Sequence, residues 1–254
     1  MSSEETNPEQ KTEFVQSLAR GLDVITAFSK DSPTMTLTEV SEATGLTRAT
    51  ARRFLMTLEN LGYIRNSGKE FSLTPKVLEL GFSYLSSLGL TERLSPYLVH
   101  LSEQVHESAS AAILDGTDIV YVARAAGQKI MQVQITIGTR FPAAVTSMGR
   151  VLLSALNAEE QKRIISSTEL SSRTPHTKTA QEELLSELAL VKEQGYSFVD
   201  QELELGLRSL AVPIHDSSGK TVAAINVSTT ATGAAKSTVE LLLSPLQECA
   251  GEIE

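Results

Sequence analysis

The residues with the clearest chemical potential form one short basic segment near residue 50. On a helical wheel, Ala51, Leu55 and Leu58 share one face of a predicted helix, whereas Arg52 and Arg53 lie on the opposite face. Arginine can bind guanine through two hydrogen bonds or hold a phosphate, and threonine can contact a thymine methyl group or a phosphate oxygen. The pattern predicts contact with DNA through residues in and around this helix: Thr36, Thr47, Arg48, Ala49, Thr50, Arg52, Arg53, Arg65 and Lys69.

The distribution of charge favours this prediction, although the total charge does not. A formal net charge of −9 argues weakly against nucleic-acid binding, because a phosphate-binding surface needs lysine and arginine. Residues 44–69, however, contain five basic residues and one acidic residue, Glu59, for a local charge of +4 that leaves −13 for the rest of the chain. The basic character is therefore confined to one segment.

The segments around the basic helix predict a helix-turn-helix. Apolar residues recur at steps of three and four between residues 14 and 29, which is the period of an amphipathic helix. Thr36 and Glu39 form a capping-box pattern at the start of a short helix, and Gly45 suits the left-handed residue that follows its end. Thr47 can cap a third helix that runs to about Leu61. Two helices joined by a short turn that contains glycine make a helix-turn-helix.

The residues after Gly62 predict a wing and then a linker. Two short strands flank an Asn-Ser-Gly turn, and Pro75 precedes a helical stretch from Lys76 to Leu88. A chain of 254 residues is long enough for two unequal domains. We therefore expect a disordered tail (1–12), a winged helix-turn-helix domain (13–75), a linker helix (76–90) and a second domain (91–254).

The second domain mixes helical and strand patterns, which predicts an antiparallel sheet flanked by helices and an overall α+β fold class. The predicted helices cover 91–106, 147–156, 158–166, 181–194 and the residues from 235 onward. The predicted strands cover 110–114, 119–125, 131–137, 196–200, 207–215 and 221–228. No internal repeat is present in the sequence.

Motifs for catalysis, metals and cofactors are weak. Residues 218–221 imitate the end of a phosphate-binding loop, but Ile214 stands where that loop requires glycine. The four histidines lack metal-ligand spacing, and the single cysteine, Cys249, excludes an internal disulfide framework. Carboxylates two residues apart, at Glu202 and Glu204, are more often structural than catalytic. We expect no enzyme activity and no cofactor or metal.

Several motifs together resemble the IclR family of bacterial transcriptional regulators. They are Leu37-Thr38-Glu39-Val40-Ser41-Glu42-Ala43-Thr44-Gly45-Leu46, Gly138-Thr139-Arg140-Phe141-Pro142-Ala143, Thr146-Ser147-Met148-Gly149-Arg150 and Ala224-Ile225-Asn226-Val227-Ser228. The resemblance spans roughly residues 14–250 and implies a winged helix-turn-helix, a linker helix, a GAF-like effector-binding domain and a homodimer or homotetramer. The family usually has lysine at the position of Arg150. With arginine at this position and with the residues around it, the sequence resembles the subgroup of the family that regulates protocatechuate and 4-hydroxybenzoate catabolism.

The resemblance also implies an effector pocket, between the helix that starts at 147 and three strands. We expect a small carboxylic acid there, aromatic or derived from ring cleavage. Hydroxyl and amide groups on alternating strand positions fit a carboxylate site, as do the backbone N–H groups of a helix start. Arg140 or Arg150 is the candidate charge partner, although each arginine can instead make a structural salt bridge. The candidate residues are Arg140, Ser147, Met148, Val199, Asp200, Leu207, Ser209, Asn226 and Ser228.

Two function classes stay open at this point. One is a cytoplasmic regulator that binds double-stranded DNA at a partly palindromic operator and has no membrane segment. Leu78, Phe82 and Leu85 offer an apolar stripe for its dimerisation. The other is a small-molecule enzyme or sensor whose N-terminal helices serve only for dimerisation. Arg52 and Arg53 favour the regulator, because arginines are costly in a packed helical interface.

Overall fold

The structure, a computed structural model, describes residues 14–81, 90–127 and 135–254. The chain divides into two compact units, with the boundary between residues 84 and 85. Over residues 14–73, the N-terminal unit forms three α-helices and a three-stranded antiparallel sheet. Its elements are α1 (Gln16–Thr26), β1 (Thr34–Thr36), α2 (Leu37–Thr44), α3 (Arg48–Asn60), β2 (Ile64–Ser67) and β3 (Glu70–Leu73).

The predicted caps of the helix-turn-helix are present. The Thr36 backbone N–H donates to Glu39 Oε2 over 2.7 Å, and the Glu39 N–H donates to Thr36 Oγ1 over 3.4 Å, which completes the capping box of α2. Gly45 ends α2 in the left-handed conformation at φ 65°. The Thr47 hydroxyl accepts from the Thr50 N–H at the start of α3. These local bonds fix where α2 stops and where α3 begins.

Strand β1 is an element that the sequence patterns do not predict. Thr34, Met35 and Thr36 pair with β3. The two wing strands, β2 and β3, therefore belong to a three-stranded sheet ordered β1-β3-β2. Met35 is buried and packs in the core that Val24, Val40 and Leu55 share. Three residues directly before a helix cap are too few for an alternating pattern to appear, and the pairing with β3 depends on residues almost forty positions away.

A short 3-10 helix (Pro75–Val77) follows the wing, and residues 78–81 are helical. Lys76 fastens this segment to α3, because its Nζ donates to the Leu61 carbonyl oxygen over 2.9 Å and lies 5.1 Å from the centre of the Tyr63 ring. The predicted linker helix therefore begins as expected. Its continuation through residues 82–88 lies outside the described residues.

The C-terminal unit is a six-stranded antiparallel sheet with helices on both faces. The helices are α4 (Leu90–Val105), α5 (Ser147–Ser154), α6 (Ala158–Ser167), α7 (Gln181–Gln194) and α8 (Ala235–Ile253). The strands, in chain order, are β4 (Ser108–Asp115), β5 (Asp118–Ala125), β6 (Arg140–Pro142), β7 (Ser197–Asp200), β8 (Leu207–His215) and β9 (Thr221–Thr230), and they lie in the sheet as β6-β5-β4-β9-β8-β7.

The strand predicted at 131–137 is not present at 135–137, so the prediction was wrong for the residues that the structure describes. Residues 131–134 lie outside the described residues, and 135–137 are not in a strand. Among the described residues, the strand that pairs with the outer side of β5 is β6, with Phe141 opposite Ile119. The remaining predicted strands and helices of this unit agree with the structure within a few residues.

Strand alternation gives the sheet two different faces. One face packs on α4 and α8 through residues such as Leu210, Val227 and Leu246. The other packs on α5 and α7 through residues such as Ala211, Ala224 and Met148. Small alanines on the second face let α5 approach the sheet closely. This second face, next to the start of α5, carries the cavity described below.

Candidate functional site

The outward face of α3 is basic and exposed. Arg48, Arg52 and Arg53 are exposed on this helix, as are Arg65 and Lys69 on the wing. None of these five side chains forms a salt bridge with a residue that the structure describes. The opposite face of α3 is buried through Ala51, Leu55 and Leu58. The helix therefore presents its positive charges to solvent, where a polyanion can bind them.

The predicted threonine contacts have structural roles of their own. Thr36 caps α2, and Thr47 caps α3 while its hydroxyl lies 2.9 Å from the hydroxyl of Thr50. Ala49 is exposed beside them. A capping hydroxyl accepts the backbone N–H through its oxygen and still has its own hydrogen to donate, so a cap at a helix N-terminus can also donate to a phosphate. Thr47, Arg48, Ala49, Arg52 and Arg53 are thus exposed together at the start of α3, while Ala51 packs into the core.

The C-terminal unit contains a cavity of about 250 Å³. It lies on the α5 side of the sheet, where the start of α5 faces strands β8 and β9. The segment between β7 and β8 forms part of its wall. The lining residues are Tyr121, Ile135, Val145, Thr146, Ser147, Val199, Leu203, Glu204, Leu205, Gly206, Leu207, Ser209, Asn226, Ser228 and Thr230.

Four polar side chains meet on the wall of the cavity. Asn226 Nδ2 donates to Ser209 Oγ over 2.7 Å and to Ser228 Oγ over 3.1 Å. The hydroxyls of Ser147 and Ser209 lie 2.7 Å apart, which ties the start of α5 to β8. Asn226 and Ser228 alternate on β9, and Ser209 pairs with Ser228 across the strands, so one register brings them together. The result is a polar patch in an otherwise largely apolar cavity.

The side-chain oxygen of Asn226 has no hydrogen-bond partner among the described residues. Asn226 is 3% exposed, and its Oδ1 accepts no hydrogen bond from any residue that the structure describes. An unpartnered polar atom in a buried position costs free energy unless a water or a ligand meets it. Asn226 lines the cavity, so this oxygen leaves one buried acceptor of the cavity wall without a partner among the described residues.

The start of α5 depends on a close backbone approach. The Thr146 hydroxyl caps the helix by accepting from the Gly149 N–H over 3.1 Å. A Cβ atom at Gly149 would lie 2.1 Å from the carbonyl oxygen of Ala143, so only glycine fits there. This approach holds Thr146 and Ser147 against the cavity.

Arg150 is fully buried and makes the structural salt bridge that the sequence left open as an alternative. Its guanidinium donates to both carboxylate oxygens of Glu202 over 2.7 and 2.6 Å and to the Ala144 carbonyl oxygen over 2.9 Å. The Lys178 backbone N–H donates to the same carboxylate over 2.9 Å. Glu202 directly precedes the cavity residues 203–207, so this ion pair joins α5 to the opposite wall.

Three expected effector contacts need correction, because the structure does not bring them to the cavity. The Arg140 guanidinium binds Asp115 over 2.7 Å and Asp118 over 3.2 Å at the edge of the sheet. Asp200 is adjacent to Val199 in a strand and so lies on the opposite face, where it pairs with Arg208 over 2.8 Å. Met148 is 1% exposed within the α5 core. The other six expected residues line the cavity: Ser147, Val199, Leu207, Ser209, Asn226 and Ser228.

Sequence reasoning missed several lining residues, of which Tyr121 is the most informative. Burial raises the pKa of the Tyr121 phenol to about 12, so the phenol stays protonated and able to donate a hydrogen bond. Tyr121 pairs with Ala112, and a register shift at Ala111 and Ala112 changes which β5 residues face the cavity. No simple alternation could have revealed this. Glu204 and Leu205 belong to a loop whose position depends on the Glu202 ion pair.

Within the described ranges, no group of three or more histidine, cysteine, aspartate or glutamate residues is arranged to hold a metal ion. No described helix combines the length and the apolar character needed to cross a membrane.

A winged helix-turn-helix joined to a cavity-bearing α/β unit defines a ligand-responsive transcriptional regulator, and the comparisons with known proteins specify its family. Residues 17–68 match the IclR helix-turn-helix domain, and residues 82–254 match the C-terminal domain of bacterial transcriptional regulator IclR. The chain belongs to the IclR family.

Two of the relatives are named as regulators of the Pca regulon and of p-hydroxybenzoate hydroxylase. The chain is 44% identical over 235 residues to the Pca regulon regulatory protein of Pseudomonas putida, covering 92% of this chain and 81% of that protein. It is 37% identical over 230 residues to the p-hydroxybenzoate hydroxylase transcriptional activator of Acinetobacter baylyi, covering 89% and 84%. An IclR homologue from Microbacterium hydrocarbonoxydans, solved with 4-hydroxybenzoate, has a TM-score of 0.83 at 25% identity, covering 94% and 97%. The similarity places the chain in the Pca/Pob subgroup.

Proposed function

We propose that this regulator responds to a small aromatic or ring-cleavage carboxylic acid bound in the cavity of its C-terminal unit. The observation that carries the proposal is the polar patch of Ser147, Ser209, Asn226 and Ser228, with an unpartnered amide oxygen, in a cavity of about 250 Å³. Ligand pockets are mostly apolar with a few convergent polar groups, and this small volume suits a single ring. The roles of the relatives support the same ligand class.

DNA binding is assigned to α3 and the wing. In a helix-turn-helix the second helix enters the major groove with its N-terminal residues near base edges. The exposed Arg52 and Arg53 therefore contact bases or phosphates, and Arg65 and Lys69 on the wing contact the backbone. Thr36, Thr47, Arg48, Ala49 and Thr50 complete the proposed surface.

The proposed assembly is a homodimer or homotetramer on a partly palindromic operator. Phe14, Leu18 and Leu22 follow one another at four-residue steps and are 66%, 64% and 49% exposed. Leu78, part of the predicted linker stripe, is 73% exposed. A second copy can cover such apolar surface, and two-fold symmetry would match two half-sites. Phe82 and Leu85, the other members of the stripe, lie outside the described residues.

The competing function, an enzyme or sensor with N-terminal helices used only for dimerisation, receives less support. Such a protein would not need three exposed arginines on α3. Relatives with assigned roles are named as regulators. We therefore propose no catalytic role and place the protein's action in the cytoplasm, where its DNA lies.

Calorimetric titration tests the ligand class. Protocatechuate, 4-hydroxybenzoate and 3-oxoadipate are each titrated into the wild-type protein and into an Asn226→Leu/Ser228→Ala double variant. We expect at least one acid to bind the wild type, and we expect the double variant to lose that binding because it lacks the amide and one hydroxyl of the patch. No heat from any of the three acids, or equal binding by both proteins, would disprove the proposal. Thermal unfolding of the double variant checks that its fold is intact.

A further inference from the structure

Arg124 lies on the cavity-bearing face of the sheet. It is directly opposite Ser110 on β4, and Ser110 is directly opposite Asn226 on β9. Residues that oppose one another in an antiparallel sheet point to the same face. The extra residue at the β5 irregularity, Val122, puts Arg124 on the same face as Tyr121 although the two are three positions apart. A row of polar residues therefore runs across three strands toward the cavity.

Arg124 differs from three arginines of this unit that form salt bridges within the described residues. Arg140, Arg150 and Arg208 each bind carboxylates. Arg124 forms no hydrogen bond or salt bridge with a residue that the structure describes. Burial lowers the pKa of its guanidinium, although arginine keeps its charge in proteins. A partly buried cation without a partner is unfavourable until an anion binds it.

The distances suit a ligand between Arg124 and the polar patch. Neighbouring strands lie about 4.8 Å apart, so the Arg124 and Asn226 backbones are separated by about 10 Å, with the small side chain of Ser110 between them. Arg124 and Ser110 are not among the residues that line the cavity, so the Arg124 side chain has to extend along this face to reach a carboxylate at the Tyr121 end of the cavity. Both N–H groups of the Asn226 amide already donate to Ser209 and Ser228, so they are not counted as donors to that carboxylate. The Tyr121 phenol lines this same end of the cavity and can donate a further hydrogen bond.

The opposite end of the cavity is negative. Glu204 lies between β7 and β8, which are on the far side of β9 from β5, and it lines the cavity. A carboxylate near Glu204 would be repelled, whereas a hydroxyl group there could donate to it. Charges of opposite sign at the two ends therefore favour one orientation of a bound acid.

We propose that Arg124 binds the carboxylate of the effector and that the rest of the ligand extends toward Glu204. The inference rests on the proposed function, because it assumes that the effector is a carboxylic acid in this cavity. It assigns the charge partner to a residue that the sequence motifs do not contain. Arg140 and Arg150, the arginines that those motifs do contain, are already paired.

The test compares an acid with its neutral analogue. Kd is measured by calorimetry for 4-hydroxybenzoate and 4-hydroxybenzamide with the wild type, Arg124→Gln, Arg124→Lys and the matched control Arg140→Gln. If protocatechuate binds more tightly, the pair is protocatechuate and its amide. The measured quantity is the preference for acid over amide, so a general change in cavity shape cancels. Thermal unfolding of each variant confirms that it is folded.

We expect Arg124→Gln to reduce this preference about 10- to 100-fold, the range of a hydrogen bond to a charged group. Arg124→Lys keeps the charge and should retain more of the preference, and Arg140→Gln should leave it unchanged. An undiminished preference in Arg124→Gln would overturn the inference while the proposed function stands. If no acid binds even the wild type, the proposed function fails and the inference fails with it.

Discussion

Helix α3 of the N-terminal unit and the interior of the C-terminal unit use arginine in opposite ways. In the N-terminal unit Arg48, Arg52 and Arg53 are exposed and have no salt bridge within the described residues. In the C-terminal unit Arg150 and Arg208 are buried and bound to carboxylates of the same unit. The first arrangement leaves the cations free for an external polyanion, and the second neutralises them inside the fold.

This difference separates charge used for recognition from charge used for structure. An exposed arginine contributes little to the free energy of unfolding but much to binding of a highly charged partner. A buried paired arginine does the reverse, since removal of one partner leaves an uncompensated charge in the interior. Mutations of the two kinds should therefore affect different measurements.

The largest expected effect follows from Arg150→Met. This variant leaves Glu202 buried at 4% exposure without its cation, so we expect a loss of about 3 to 5 kcal/mol in the free energy of unfolding. Urea unfolding of the full chain, followed by circular dichroism, measures the loss. Arg150→Met/Glu202→Leu should recover much of it, because neither charge then remains buried. A loss below about 1 kcal/mol, the usual range for an exposed pair, would show that Arg150 is not a structural cation.

A smaller effect, and on a different quantity, is expected for Arg52→Ala and Arg53→Ala. Loss of a base contact should weaken binding to a DNA site selected from random duplexes by about 1 to 3 kcal/mol, and loss of a phosphate contact should reduce the salt dependence by about one unit of slope. Fluorescence anisotropy at several salt concentrations measures both. Arg163→Ala, an exposed arginine on α6, controls for net charge. Unchanged DNA binding in both variants would show that α3 is not the recognition helix.

The smallest effect is expected for Arg140→Gln. Its guanidinium binds Asp115 and Asp118 at the surface, with 46% of the Arg140 side chain exposed. Exposed salt bridges contribute about 0 to 1 kcal/mol, so the free energy of unfolding should change by no more than that. Urea unfolding followed by circular dichroism measures the free energy of unfolding of Arg140→Gln and of the wild type. A loss as large as that of Arg150→Met would remove the distinction between paired cations at the surface and in the interior.

Local features of the fold could be predicted from the sequence. The Thr36 and Glu39 capping box, the left-handed Gly45 and the Thr47 cap each involve residues within four positions of one another. Side-chain type and spacing alone determine such contacts. The recognition helix and its exposed face followed from them.

The cavity could be predicted only in part. Asn226 and Ser228 are two positions apart on β9, so the sequence predicted that they share a face. The family resemblance added Ser209 to the same pocket. The two partners of Arg140 could not be predicted from the sequence, because Asp115 and Asp118 lie more than twenty positions earlier. They come close to Arg140 only because β5 pairs with β6. The β5 irregularity likewise hid that Tyr121 lines the cavity and that Arg124 lies on the same face of the sheet, since one extra residue reverses which side chains point to that face.

The two-faced sheet has a consequence for how new specificities arise. Side chains at 209, 226 and 228 face the cavity, while their immediate neighbours at 210 and 227 pack against α4 and α8. A substitution at a cavity position changes the ligand that fits but leaves the packing of the other face untouched. The limit on such changes is therefore set by the hydrogen bonds that these three side chains make with one another and with Ser147, and not by the packing against α4 and α8.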